Sequence, residues 1–555
     1  MQYDIVVIGS GIAGATAALV FSRIGHRVLV IEKRKHPRFA IGESTIPTTT
    51  HIFMSLSKKY NIPELRHICH YTALAKRKMA SYPKRHFWYG LHKENAPLSP
   101  CKQLMFETFP LPIGPDVHML RSDADSYLVS KFAKYGVDYI DETEIKNFDY
   151  DTSTNTANIS TLSPQGAKQV LCKLVVDASG HASYLAKKFN LREKETSLKT
   201  KSRTIFGHFR GVKDLDSLLE KNIFRYKRNA GTMHHCFDGG WIWVIPFDNG
   251  ITSIGLMLDT DKYPNNNKIT PEEEMQQIIQ KFPTIKEQLE KREPLFPLIR
   301  TGRVQFSSHT ILGDGFILTP HAAAFVDPLF STGILLTLSF IERMAHLLES
   351  SQTDRFVTKN FQSVEKAFFQ EIQTIDLVVS GTWKSFRDFN IFKQYWRTWI
   401  HSTTLQYFTH ILGNSSNAKG CSFAYGAAIE TWKETLYKMH SIVYQDGDSQ
   451  QVAESLQKIM DSVPHPYHNS LFEINSKEAC SIHTDIDKKY QVQFFMTLLD
   501  TPEIKKDGGN KSKLYLFILS TIIKKIYFKL RYCLSKLIGT SFYKEIRSIH
   551  KITSL

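Results

Sequence analysis

The chain has 555 residues, 42% of them hydrophobic and 12% aromatic, enough to bury a core of several domains or of one large enzyme domain with insertions. Its 70 Lys and Arg against 54 Asp and Glu leave a formal charge of +16, which admits an anionic substrate, an acidic surface or nucleic acid as partner. The sequence contains no zinc-finger spacing, RNP signature or helix-turn-helix pattern, so nucleic acid is not expected. Its seven scattered cysteines form no CxxC pair and read as reduced thiols, with no disulfide frame and no metal site.

In chain order, residues 4–8 (DIVVI) predict a buried strand, and the glycine turn GSGIAG follows with Gly9, Gly11 and Gly14. A helical stretch and a second apolar strand, RVLVIEK, then lead to Glu32 and Lys33. In this frame Gly9 makes the tight turn, Gly11 admits a pyrophosphate and Gly14 lets helix and strand close up. The helix N-terminus at Ile12 and Ala13 offers N–H groups to phosphates, and Glu32 an acceptor to ribose hydroxyls. The chain opens directly on this strand and leaves no room for a secretory signal, so a cytoplasmic protein is expected.

Further on come IGEST (41–45, with Glu43 and Ser44), LRSDADSYL (120–128, with Arg121 before a helix) and LVVDASGHAS (174–183, a strand ending at Asp177). Residues 200–260 alternate as strands do, including GGWIWVIPF at 239–247. From about 335 the pattern is helical through about 500, followed by a hydrophilic linker at 505–513. Residues 511–555 then carry ten Lys or Arg and one acid, Glu545, among apolar residues. That basic segment is too short in its apolar run to span a bilayer; it either lies on an anionic membrane surface or docks on the enzyme. His234 and His235 have no second ligand cluster at metal spacing and read as strand residues.

The order of the IGEST, LRSDADSYL and LVVDASG segments resembles flavoproteins of the glutathione-reductase and aromatic-hydroxylase types, which makes FAD the expected dinucleotide. Within that group, Trp241, Trp243, Ile245 and Pro246 resemble the WxWxIP signature of flavin-dependent halogenases. Phe325, Pro328, Ser331 and Gly333, in AFVDPLFSTGI, resemble their FxxPxxSxG signature. The implied fold is α/β. It comprises a Rossmann-like FAD domain over residues 1–350, with a β-sheet layer from about 80–115 and 200–300, and a helical substrate-covering region over 351–504. The resemblance implies FAD supplied in reduced form by a separate flavin reductase, and a halide held by the backbone of Thr332 and Gly333. Hypohalous acid would travel through a tunnel to a lysine, which presents it to an electron-rich aromatic. The tryptophan pair would keep the substrate away from the flavin and so suppress oxygen transfer.

Lys84, in KRHFWY, aligns best with the family's lysine, and Lys78 is the rival because His86 stands where a glycine is usual. Two departures stand out. Pro320 and His321 replace a Gly-Asp pair that contacts the flavin, and Phe330 occupies the position of a glutamate that tryptophan-acting members use. The second points to a phenol- or pyrrole-like substrate, with free and carrier-tethered forms both open. A flavin monooxygenase and a non-catalytic flavoprotein at a membrane surface are the competing readings.

Overall fold

A computed structural model describes residues 2–107, 116–219, 223–350, 356–412, 424–427, 429–463 and 480–482. The linker and the basic C-terminal segment inferred from sequence lie outside the described residues.

The N-terminal strand Gln2–Ile8 is apolar on both faces and pairs in parallel with Val28–Ile31 on one side and Gly166–Asp177 on the other. Such two-sided burial is what a central parallel strand covered by helices requires. The sheet continues through Asp138–Ile140 at one edge and, on the other side, through Phe316–Leu318 to Leu312–Gly313. An antiparallel flap, Glu144–Asp151 with Thr156–Ser163, extends the long Gly166–Asp177 strand. The helix Ile12–Arg23 buries most of its length against this sheet.

A second, nine-stranded sheet stands over the first. Its middle runs Ser202–Arg210, Thr252–Asp259, Gly240–Pro246, Thr232–Phe237, His86–Leu91 and Gln103–Glu107. Side chains alternate between the faces of the Gly240–Pro246 strand, as the two-residue period demands. Trp241, Trp243 and Ile245 enter the large core shared with the first sheet. Ile242 and Val244 enter a smaller core closed by the helices Pro271–Gln280 and Pro283–Leu289. A two-stranded ribbon, Ser81–Lys84 against Asp116–Met119, stands apart from both sheets.

The helices Gly333–Ser350, Gln362–Ser385, Phe389–Leu412, Glu430–Val443 and Ser449–Ser462 complete the covering layer. The expectation of helix through about 500 needs one correction. Residues Cys480–Ile482 form a short strand in parallel with Gln103–Glu107. That sheet edge would otherwise expose a row of unpaired backbone groups, and the strand satisfies them. Among the described residues no helix is long and apolar enough to cross a membrane.

Gly255 sits opposite Trp243 across the ladder, and a Cβ there would fall 1.9 Å from the indole. The glycine lets the ring lie flat over its neighbour's backbone. Gly255→Ala should therefore destabilise the fold by about 1–3 kcal/mol through overpacking. Denaturant unfolding checks this, and an unchanged midpoint would contradict it.

Candidate active site

The glycine turn is built as its spacing requires. Gly9 has φ +92°, and a Cβ there would lie 2.8 Å from the Ala178 carbonyl oxygen; a Cβ on Gly14 would lie 1.9 Å from the Gly9 carbonyl. Gly11 leaves the turn open beneath two guanidinium groups, with Arg38 and Arg121 nitrogens 3.5 and 3.6 Å from where its Cβ would be. Ile12 and Ala13 are the first residues of the helix behind it. Two cations over a helix N-terminus make a cradle for a pyrophosphate.

Glu32, at the end of the second strand, accepts from the Ser10 amide and hydroxyl, both at 2.9 Å, and pairs with Arg38 at 3.1 Å. Burial opposes its ionisation, but Arg38 and the Ser10 and Arg34 amides outweigh that and hold the carboxyl below its usual range. Arg121 grips Asp125 through Nε at 2.8 Å and a terminal nitrogen at 2.9 Å, and donates to the Ile41 and Gly42 carbonyls. It thereby ties the segment before Glu43 and Ser44 to the glycine turn. Glu43 is buried 2.8 Å from His208.

Two residues expected at the cofactor have partners within the protein. Lys33 is exposed and paired with Glu144 at 2.9 Å, because the strand end turns its side chain outward. The carboxylate of Asp177 accepts the amides of Ser179 (2.9 Å) and Leu185 (2.8 Å), and so shapes the turn after its strand.

The Ser-Thr-Gly turn leads into the helix that begins at Gly333, with Thr332 buried just before it. Ser331 takes φ +55°, a strained conformation for a residue with a side chain. Phe325 and Pro328 precede the turn, and Asp327 between them accepts from the Leu329 amide at 3.0 Å and the Ser202 hydroxyl at 3.1 Å. Burial pushes the Asp327 carboxyl up to about 7, against the pull of the Leu329 amide, Ser202 and the indoles of Trp383 and Trp241. Asp327 thus ties this segment to Ser202 on the Ser202–Arg210 strand. Trp243 is 5.8 Å from Trp241 between ring centroids and donates to Ser253 at 3.1 Å. Pro246 closes the strand behind Ile245.

The Pro320-His321 departure also has a place. Pro320 opens a short helix, and His321 lies against Gly333, whose Cβ would fall 2.7 Å from the imidazole. Burial, with Arg121 adding to it, lowers the imidazole to about 4, so a neutral ring stands between the glycine turn and the Ser-Thr-Gly turn.

Lys84 is buried at the end of its ribbon, and its ammonium donates to Ser44 Oγ at 2.8 Å, the Thr45 carbonyl at 2.9 Å and Ser331 Oγ at 3.4 Å. It also sits 3.5 Å over the centroid of the Phe87 ring. Burial pushes it well below the usual lysine range, and Asp116 acts in the other direction. Lys78 is exposed in a left-handed turn. Phe87 lines a narrow apolar cavity of about 10 Å³ with Phe106, Trp399, Thr403, Tyr407 and Ile46. Phe330, just before Ser331, stacks on Trp399 at 4.8 Å between ring centroids. Sequence reasoning missed Trp399, Thr403 and Tyr407, although their four-residue spacing marks one face of a helix. His234 donates through Nδ1 to the Trp88 carbonyl at 2.9 Å, and His235 pairs with His92 at 2.9 Å, so both belong to the sheet's interior.

The family model described as Tryptophan halogenase matches residues 4–79 and 105–443. The chain belongs to the flavin-dependent halogenase family. It is 33% identical over 416 residues to the monodechloroaminopyrrolnitrin halogenase PrnC of Pseudomonas fluorescens, covering 73% of this chain and 72% of that one. It is 31% identical over 414 residues to the tetracycline 7-halogenase of Kitasatospora aureofaciens, with 73% and 74% covered. Its fold superposes on the halogenase PltM, solved with phloroglucinol and FAD, with a TM-score of 0.79 and 26% identity; 86% of this chain and 100% of that one are covered. The halogenase is thus an FAD enzyme that acts with halide, and the glycine turn with its two guanidinium groups fits that cofactor. The matched segments flank residues 80–104, so the placement of Lys84 rests on the geometry described above.

Gly9→Ala should lower FAD affinity at least about tenfold, because φ and the Ala178 carbonyl both forbid a side chain at the turn. Flavin fluorescence titration measures this, and wild-type affinity would contradict it.

Proposed function

We propose that this halogenase takes FAD reduced by a separate flavin reductase and generates hypohalous acid at the Ser-Thr-Gly turn. Lys84 then presents that acid to an electron-rich aromatic, phenol- or pyrrole-like, held in the cavity behind Phe87. Bound FAD would supply the activation of dioxygen that oxidises the halide. Gly9, Gly11, Gly14, Glu32, Arg38 and Arg121 would hold its pyrophosphate and ribose end.

The halide would rest on the amides of Thr332 and Gly333, which open the helix Gly333–Ser350 and have no partner within it. Those amides, with the positive end of the helix, favour an anion. Trp241 and Trp243 fill the space between the sheets with indole and leave little room for an organic substrate near the flavin.

The observation that carries the reading is the position of Lys84. Its ammonium touches Ser331 of the halide turn on one side and the Phe87 wall of the cavity on the other. An ammonium there would donate a proton to the oxygen of hypohalous acid as that oxygen departs, which raises the electrophilicity of the halogen. The cavity has aromatic walls and no lining cation or carboxylate, which matches a small apolar ring, and at about 10 Å³ it must widen to admit one. The phenol bound in PltM and the pyrrole in the name of PrnC's substrate agree with that class.

The test combines purified protein, FAD, a flavin reductase, NADH, bromide and phloroglucinol in air, with mass spectrometry of the product. Monobromination is expected from the wild type and from Lys78→Ala, and a loss of at least about a hundredfold from Lys84→Ala. An oxygenated product, or bromination that survives Lys84→Ala, would contradict the proposal.

A further inference from the structure

Lys84 and Asp116 are directly opposite residues of the antiparallel ribbon, so their Cβ atoms lie about 5 Å apart on one face. Both side chains are out of water, at 0% and 1% exposure. Thr50 donates its hydroxyl to Asp116 Oδ1 at 3.0 Å, whereas Oδ2 is buried without a hydrogen-bond partner among the described residues. A carboxylate oxygen cut off from both water and donors is tolerable only beside a compensating cation. Lys84 is the cation opposite it across the ribbon, without a direct ion pair between them.

We propose that Asp116 is the positioning residue for Lys84: its buried carboxylate faces the lysine across the ribbon and favours the ammonium form aimed at the cavity wall. This rests on the role given to Lys84 above. The halogen-transfer step shows what the pair would do. With hypohalous acid as the halogen source, a carbon–halogen bond forms and the oxygen–halogen bond breaks, its electron pair leaving on oxygen. Lys84 gives that oxygen a proton, so water departs. The ring then loses the proton from the substituted carbon, its C–H pair restoring aromaticity, and the proton count of the pair is made good.

The direction of the titrations supports this. Burial raises the Asp116 carboxyl to about 7, with Lys84 and Thr50 opposing the rise, while burial lowers Lys84 and Asp116 opposes that fall. The groups that face the pair from the surrounding elements are kept neutral by burial. His118, on the same strand as Asp116, is well below the imidazole range, His86 is at about 4 and His234 at about 3, and His51 on the Pro47–Lys59 helix is also lowered. The Cys69 thiol and the Tyr407 phenol are pushed up, in both cases with the field of Asp116 contributing.

The test uses the full chain with Asp116→Asn, Thr50→Val, Lys84→Met and the double variant Asp116→Asn/Lys84→Met. In the bromination assay, Asp116→Asn should move the alkaline limb of the kcat profile to lower pH by about one unit or more and lower kcat at neutral pH about tenfold, with KM for the phenol little changed. Thr50→Val removes one donor from the carboxylate and should move the limb the same way by less. Unfolding from pH 5 to 9 supplies a readout independent of activity. Each single variant should lower the midpoint, and the double variant should lower it by less than the sum. A wild-type pH profile in Asp116→Asn, or strictly additive midpoints, would overturn the pair. Should Asp116→Asn fail to fold, an unmoved limb in Thr50→Val would overturn it equally. Absence of brominated product from the wild type would sink the proposed function, and the unfolding cycle would still decide whether the pair exists.

Discussion

The structure around the site depends on keeping one ammonium group out of water. An isolated buried charge costs several kcal/mol, so the fold must bring polar partners to it from distant segments. Two segments supply its contacts, and the ribbon adds a carboxylate opposite it across the ladder. The chain after Gly42 supplies Ser44 and the Thr45 carbonyl, the ribbon supplies Asp116, and the turn before the long helix supplies Ser331. Each of these is held by a second element. The Thr45 amide bonds the Val117 carbonyl, Met119 bonds the Glu43 carbonyl, and Arg121 clamps Ile41 and Gly42. The same Arg121 overhangs Gly11 of the cofactor turn, so the lysine and the cofactor cradle are positioned by one connected set of contacts.

The two sheets divide the remaining labour. The parallel sheet presents its glycine turn and helix N-terminus to a dinucleotide. The nine-stranded sheet presents aromatic side chains to two different neighbours. Trp241 and Trp243 face the shared core, whereas Phe87 and Phe106 face the Phe389–Leu412 helix, with Trp399 at 4.8 and 5.3 Å from them. Phe330 stacks on the same Trp399. Lys84 lies between Ser331 and the Phe87 ring, against the cavity wall and outside the cavity's lining.

Local features were legible in the sequence. The strand, glycine turn, helix and second strand fall within about thirty residues, and each glycine has its own steric reason. The WxWxIP strand could be read because alternation sends both indoles to one face. The lysine was harder: His86 in place of glycine left Lys78 and Lys84 both open, and only burial beside Ser331 separates an end-of-strand lysine from one in an exposed turn. Features made by long-range pairing carried no signal. Asp116 meets Lys84 across thirty-two positions of chain, Trp399 and Tyr407 arrive from a helix three hundred residues away, and Cys480–Ile482 completes a sheet edge. Phe330 removes the glutamate that the family resemblance led one to look for, and the carboxylate facing the lysine comes from a different strand altogether. Lys33 follows the second strand as a cofactor residue would, yet the strand end turns it toward Glu144.

The most direct measurement is a crystal structure of the protein soaked with bromide and a phenol and loaded with FAD, with anomalous scattering used to locate the halide. The account predicts bromide at the amides of Thr332 and Gly333, and the phenol ring in the cavity behind Phe87, with Lys84 between the two. A phenol bound on the flavin side of Trp241 and Trp243, or a lysine withdrawn from Ser331 with the ring elsewhere, would contradict it.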